Sequence, residues 1–161
     1  MIHHRWHPLN DVFVWLSKLG TDGIVWLAIG LVVALVWRRA LPFALVVLAV
    51  AAADGLAVLL KVLIGEKRPT DPTSLVPIPH SQSFPSGHAA IAFAAATMLA
   101  VLVPPAAAAF FVLALAIGYS RVYVGVHWPL DVVGGAILGV ATALLLLAIA
   151  RRRSVPLRRP G

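Results

Sequence analysis

Three short stretches of this chain hold residue types that could do chemistry together. Lys61 and Arg68 stand seven positions apart with Pro69 following; Pro85-Ser86-Gly87-His88 comes next; Ser120-Arg121 precedes His127 and Asp131. Between them they supply cations, hydroxyls, two imidazoles and a carboxylate. That is a set able to hold a phosphate and hydrolyse it. Arginine offers a planar fork for phosphate oxygens, and lysine a mobile point charge. Because Pro69 biases Arg68 away from helix, the pair brackets a helix end.

The second stretch opens a helix, with Pro85 in its first turn. Free backbone N–H groups and the helix dipole there favour an anion. Ser86 adds a hydroxyl donor, Gly87 lets backbone come close, and His88 is placed to give a proton to a leaving oxygen. In the third stretch His127 and Asp131 are four apart, which puts them on one helix face. The carboxylate can then hold one ring nitrogen and leave the other free to attack. A metal reading of two histidines and an aspartate is disfavoured by the cations beside them, so no metal or cofactor is expected.

The rest of the chain decides where such a site can sit. Of 161 residues 61% are hydrophobic, 12% charged and none is cysteine, with a mean hydropathy of +0.95. Soluble domains carry roughly a quarter charged residues, so this reads as an integral membrane protein, an all-α helical bundle. The +7 charge is a topology signal rather than a sign of nucleic-acid binding. No cleavable signal stands out at the N-terminus.

Apolar runs long enough for a bilayer fall near 22–37, 41–64, 86–103, 106–124 and 130–150, given that about 20 helical residues cross the hydrocarbon core. Residues 9–20 place Leu9, Val12, Phe13, Leu16 and Leu19 at helical spacing, with Asn10 as a cap and Gly20 as a stop. They read as an interfacial amphipathic helix, the alternative being fusion with the first span. Residues 1–150 form one transmembrane domain and 151–161 a basic cytoplasmic tail. Arg38, Arg39 and the five C-terminal arginines then lie on the cytoplasmic side. Threading five spans alternately carries all three motifs to the opposite, extracytoplasmic face.

The pattern Lys, six residues, Arg-Pro; Pro-Ser-Gly-His; then Ser-Arg, five residues, His, three residues, Asp resembles the three-part signature of the type 2 phosphatidic acid phosphatase superfamily. It spans residues 61–131 and matches at every signature position. The resemblance implies a metal-independent membrane lipid phosphatase working through a phosphohistidine. In that reading His127 attacks phosphorus, Asp131 orients its ring, and His88 protonates the leaving oxygen and later activates water. Lys61, Arg68, Ser86, the Gly87 amide and Arg121 hold the phosphoryl oxygens, and Ser120 is structural.

Two charges lie outside the signature. Lys67 is a candidate for a second phosphate or for anionic headgroups. Asp54, seven residues before Lys61 inside a span, is either a partner of the site or a helix-packing residue beside Gly55. Trp26, Trp37 and Trp128 fit an interfacial belt. By family analogy the substrate is a polyprenyl diphosphate. Phosphatidylglycerophosphate, phosphatidic acid and prenyl-linked sugar phosphates are the alternatives. A non-catalytic transporter explains the spans and Asp54 but gives the gathered cations and histidines no purpose. A haem protein leaves the lysine and arginines unused, and a vanadate-dependent peroxidase is expected on a soluble scaffold. The oligomeric state is not legible.

Overall fold

The computed structural model describes residues 7–70 and 72–153. Among these residues regular structure is helical only: α1 (His7–Leu19), α2 (Ile24–Trp37), α3 (Leu41–Ile64), α4 (Gly87–Leu102), α5 (Ala107–Tyr123) and α6 (Pro129–Arg152). Residues 154–161, the greater part of the basic tail, fall outside the described residues. Arg151 and Arg152 continue α6, so the helix runs past the boundary at 150 read from hydropathy.

Three helices are long and apolar enough to cross a membrane alone: α3, α6, and α5 extended back to Pro104. At about 1.5 Å per residue the 24 residues of α3 and of α6 reach about 36 Å. The protein is a multi-pass membrane protein. The 16 residues of α4 make only about 24 Å, short for a bilayer core. Its surroundings explain why that suffices. Packed among α3, α5 and α6, it meets protein on most sides, and Ala89, Ala90, Ala92, Ala94, Ala95 and Ala96 are all fully buried.

Small residues set how closely α4 and α6 approach, as expected where no hydrophobic force drives helices together in lipid. A Cβ on Gly135 would collide with the Ser86 carbonyl oxygen, and one on Gly139 with the Ala90 carbonyl oxygen. Backbone meets backbone at both points. The same crossing brings the start of α6 against the start of α4, which is where His127, Asp131 and His88 lie.

The N-terminal segment forms a helix of its own, set at an angle to the first span. α1 and α2 meet at a 58° bend, made by left-handed backbone at Asp22 and Gly23. Only glycine adopts that conformation without cost. α1 packs on the end of α5: Phe13 stacks on Tyr123 with ring centroids 4.1 Å apart, and the Tyr123 hydroxyl donates to Asn10 Oδ1 at 3.0 Å. Asn10 is therefore inside α1 facing α5, and not its cap. Trp26 also departs from expectation. It is fully buried in the core against α3 and α4 rather than in an interfacial belt.

The α4–α6 contact yields a stability test. Gly139→Val forces side-chain atoms into the Ala90 backbone and should cost about 1–3 kcal/mol or more, visible as a lowered thermal unfolding midpoint in detergent. Gly55→Val, where a Cβ meets nothing within 4 Å, should leave the midpoint within error of the parent.

Candidate active site

The first stretch divides at a glycine. α3 ends at Ile64, with Gly65 in left-handed backbone (φ 69°) and its N–H on the Lys61 carbonyl. Lys61 stays on the helix while Arg68 leaves on the following loop. That proline-rich loop is pinned in place. Ser83 N donates to the Glu66 carbonyl at 2.8 Å, and Leu75 N to the Val124 carbonyl at 3.0 Å. The Lys61 ammonium in turn donates to the carbonyls of Gln82 and Ser83 at 2.8 and 2.9 Å.

At the second stretch the helix begins one residue later than the proline suggests. Ser86 is the N-cap, its Oγ accepting from Ala89 N at 3.5 Å, so Pro85 lies before the first turn and Gly87 opens it. Ser86 is fully buried, and its N–H donates to the Asp131 carbonyl at 2.9 Å. His88 sits in the first turn of α4, with Nε2 buried and without a hydrogen-bond partner.

His127 and Asp131 meet, though not as neighbours on a helix face. Pro129 starts α6 and pushes Trp128 into extended backbone (φ −74°, ψ 152°), as residues before proline are pushed. His127 therefore lies outside the helix, and the helix cap brings the pair together. Asp131, in the first turn, accepts at Oδ2 from Trp128 N at 2.8 Å and from His127 Nδ1 at 3.0 Å. A third donor, Ser83 Oγ, reaches the same oxygen at 2.5 Å.

Arg68 fixes the state of the imidazole. Its Nη1 lies 3.0 Å from His127 Nε2 and also donates to the Val126 carbonyl at 2.8 Å. A guanidinium can only donate, so Nε2 presents its lone pair and the ring proton is on Nδ1, directed at Asp131. Nε donates to the Ser81 carbonyl at 2.7 Å, which holds the guanidinium plane. Burial pulls the His127 pKa down to about 4; the hydrogen bond it donates to Asp131 opposes this, while Arg68, Arg121 and Lys61 add to it.

A cavity of about 320 Å³ joins these groups, lined by Lys61, Arg68, Gly87, His88, Arg121 and His127, with Asp54, Val58 and Val62 on its α3 side. Arg121, on the last turn of α5, is buried, and its Nε lacks a partner. The structure thus brings together the residues read from the three motifs. Ser86 and Asp131 stand behind the lining. Ser120 is turned away, its hydroxyl donating to the Ile117 carbonyl at 2.6 Å. Asp54 is in the lining, with Oδ1 3.8 Å from the point a Gly87 Cβ would occupy. Lys67 is exposed and lines a neighbouring cavity of about 410 Å³ with Arg68 and His80.

Ser81 and Ser83 escape a reading of the sequence, since nothing in a serine-rich loop marks which hydroxyl meets a carboxylate. Ser17 escapes too. It is buried, and its Oγ accepts from Arg121 Nη1 across 104 residues of chain.

The PAP2 superfamily model matches residues 42–154, which include every motif described above. The chain belongs to the PAP2 superfamily. It is 35% identical over 147 residues to an undecaprenyl-diphosphatase of Sulfolobus acidocaldarius, covering 88% of this chain and 70% of that one. It is 34% identical over 150 residues to a decaprenylphosphoryl-5-phosphoribose phosphatase of Mycobacterium tuberculosis, covering 86% and 78%. Among solved structures it resembles the PAP2-type phosphatidylglycerolphosphate phosphatase of Bacillus subtilis, with a TM-score of 0.77, 30% identity, and coverage of 92% and 79%. This PAP2 chain is a membrane lipid phosphatase enzyme.

The opposing pulls on His127 make its protonation a measurable property. Titrating the imidazole by 15N NMR in micelles should show a neutral, Nδ1-protonated ring at pH 7 with a midpoint near 4. As pH falls through that midpoint the lone pair facing Arg68 is lost. A midpoint at 6.5 or above would mean that the Asp131 hydrogen bond outweighs burial.

Proposed function

We propose that this protein hydrolyses a lipid phosphate or diphosphate without a metal, through a phosphohistidine on His127. The observation that carries this is the His127 ring: its proton is directed at Asp131, and its unprotonated Nε2, held by Arg68, lies at a cavity lined by Lys61, Arg68 and Arg121. Substrate oxygens draw Arg68 off Nε2 and onto phosphate, which frees the lone pair at the moment the cradle is filled. Nε2 then attacks phosphorus, a P–N bond forms, and the P–O bond to the leaving group breaks. His88, which takes up a proton on Nε2 as the anionic substrate binds beside it, gives that proton to the departing oxygen and leaves Nε2 bare for the second half. In the second half His88 takes a proton from water, the water oxygen attacks phosphorus, the P–N bond breaks and His127 is regenerated.

Lys61, Arg68, the Gly87 amide and Arg121 hold the phosphoryl oxygens, with Ser86 at the base of the cradle. Their charge matters most as negative charge spreads over those oxygens in the transition state. Guanidinium groups this close to the nucleophile also repel a divalent cation, which favours a reaction carried by side chains alone.

The lipid reading rests on the α3 side of the cavity. Val58 and Val62 line it and are exposed on the outer surface of the bundle, so a phosphate attached to a bilayer tail can enter sideways. Polyprenyl diphosphate is the first choice, supported by the undecaprenyl-diphosphatase relative. Lys67 beside Arg68 is a candidate for a second phosphate. The site faces the extracytoplasmic side. Arg38, Arg39, Arg151 and Arg152 cluster at the ends of α3 and α6 away from Lys61 and Asp131, and a basic end marks the cytoplasm.

Phosphate release from a panel of polyprenyl diphosphate, phosphatidylglycerophosphate and phosphatidic acid in liposomes tests this reading. Polyprenyl diphosphate should turn over fastest. His127→Ala should lower turnover by about a thousandfold or more with the unfolding midpoint retained, and EDTA should have no effect. Full turnover by that variant, or loss of activity on chelation, would sink the mechanism.

A further inference from the structure

α1 lies outside every motif, yet its last turn reaches residues that line the cavity. Ser17 is buried on α1, and two of its atoms face residues of the site. Its Oγ accepts from Arg121 Nη1. Its backbone carbonyl lies toward the His88 ring, and since His88 Nε2 has no hydrogen-bond partner, Nδ1 is the ring nitrogen that can meet it. The neighbouring turn closes the arrangement. At Gly20 a Cβ would stand 2.5 Å from Ile117 Cγ2 and 3.3 Å from His88 Cδ2, so the turn that follows α1 is packed against the His88 ring.

We propose that Ser17 is a positioning residue of the active site, its hydroxyl holding Arg121 and its carbonyl holding His88, so that α1 is part of the catalytic apparatus. The chemistry of each bond follows from the donor sets. Arg121 Nη1 is spent on Ser17, which fixes the guanidinium plane and leaves the unpartnered Nε for a phosphoryl oxygen. A carbonyl bound to His88 Nδ1–H keeps the bare Nε2 toward the cavity and supports the ring when Nε2 gains a proton. One residue thereby sets the orientation of a phosphate-side cation and of the acid–base histidine. The stacking of Phe13 on Tyr123 and the Tyr123–Asn10 hydrogen bond hold α1 in register.

The inference rests on the roles given above to His88 and Arg121. Its test compares full-length parent, Ser17→Ala and Ser17→Thr in detergent, measuring kcat and KM on a lipid phosphate, inhibition by orthovanadate, and the unfolding midpoint. Ser17→Ala strands a buried guanidinium N–H. It should lower kcat by about 10- to 100-fold with KM changed much less, and weaken vanadate inhibition by a similar factor. Ser17→Thr, which keeps the hydroxyl, should stay within about threefold of the parent. In the parent, 15N NMR should show His88 as the Nδ1-protonated tautomer when neutral. The proposal is overturned if Ser17→Ala keeps parental kcat and vanadate affinity, if Thr fails as Ala does, if the loss only tracks the unfolded fraction, or if neutral His88 carries its proton on Nε2. Inactivity of His127→Ala alongside a fully active Ser17→Ala would reject the role of Ser17 while leaving the phosphohistidine reading intact.

Discussion

One carboxylate oxygen ties the site together. Asp131 Oδ2 accepts from the Trp128 amide, from His127 Nδ1 and from Ser83 Oγ, so it caps α6, orients the imidazole and anchors the loop that returns from α3. These are three structural tasks on one atom, at a residue with no exposure to solvent. A buried carboxylate is costly unless it is hydrogen-bonded, and in Asp131 that bonding falls wholly on Oδ2, Oδ1 being buried without a partner. Here its donors come from two segments far apart in sequence. Removing the carboxylate would at once uncap a helix, free the ring to take the other tautomer and release the loop that supplies the carbonyls around Lys61.

The membrane supplies the second constraint. Irregular backbone at the edge of a bilayer must find partners within the protein, and the loop between α3 and α4 does so against the Glu66 and Val124 carbonyls and through the side chains of Lys61 and Arg68. Cations that would bind phosphate thus also brace the loop around it. The close α4–α6 crossing at Gly135 and Gly139 places two helix starts side by side, so both histidines face one cavity. In the proposed reaction electrostatic preorganisation would be a product of helix packing: fixed donors would stand where charge develops, with Arg68 the group that has to move.

Much of this was legible in the sequence. Hydropathy gave α3 its bounds of 41–64 and came within about two residues for α4, α5 and α6, because long apolar runs ended by Gly65, Pro104 and Pro129 leave little choice. Motif spacing picked out residues that gather around one cavity, since each motif sits at a helix end on the same face. What was not legible depends on three-dimensional contact. The His127–Asp131 spacing of four suggested one helix face, yet Pro129 excludes His127 from the helix and the cap makes the contact instead. Trp26 near a span end looked interfacial but is enclosed by α3 and α4. Ser17, Ser81 and Ser83 carry no local pattern, because their partners lie on other elements and small polar residues of this kind occur in any loop or helix end.

The central claim is that phosphate passes through His127. It is tested most directly by mixing enzyme with a lipid substrate labelled in the transferred phosphoryl group, quenching within a turnover, and mapping the label on the denatured chain. The account predicts an acid-labile, alkali-stable phosphoramidate on the peptide containing His127, formed and lost at rates no slower than turnover. Rapid hydrolysis with no covalent label on the chain at any quench time, or label on a different residue, would contradict it.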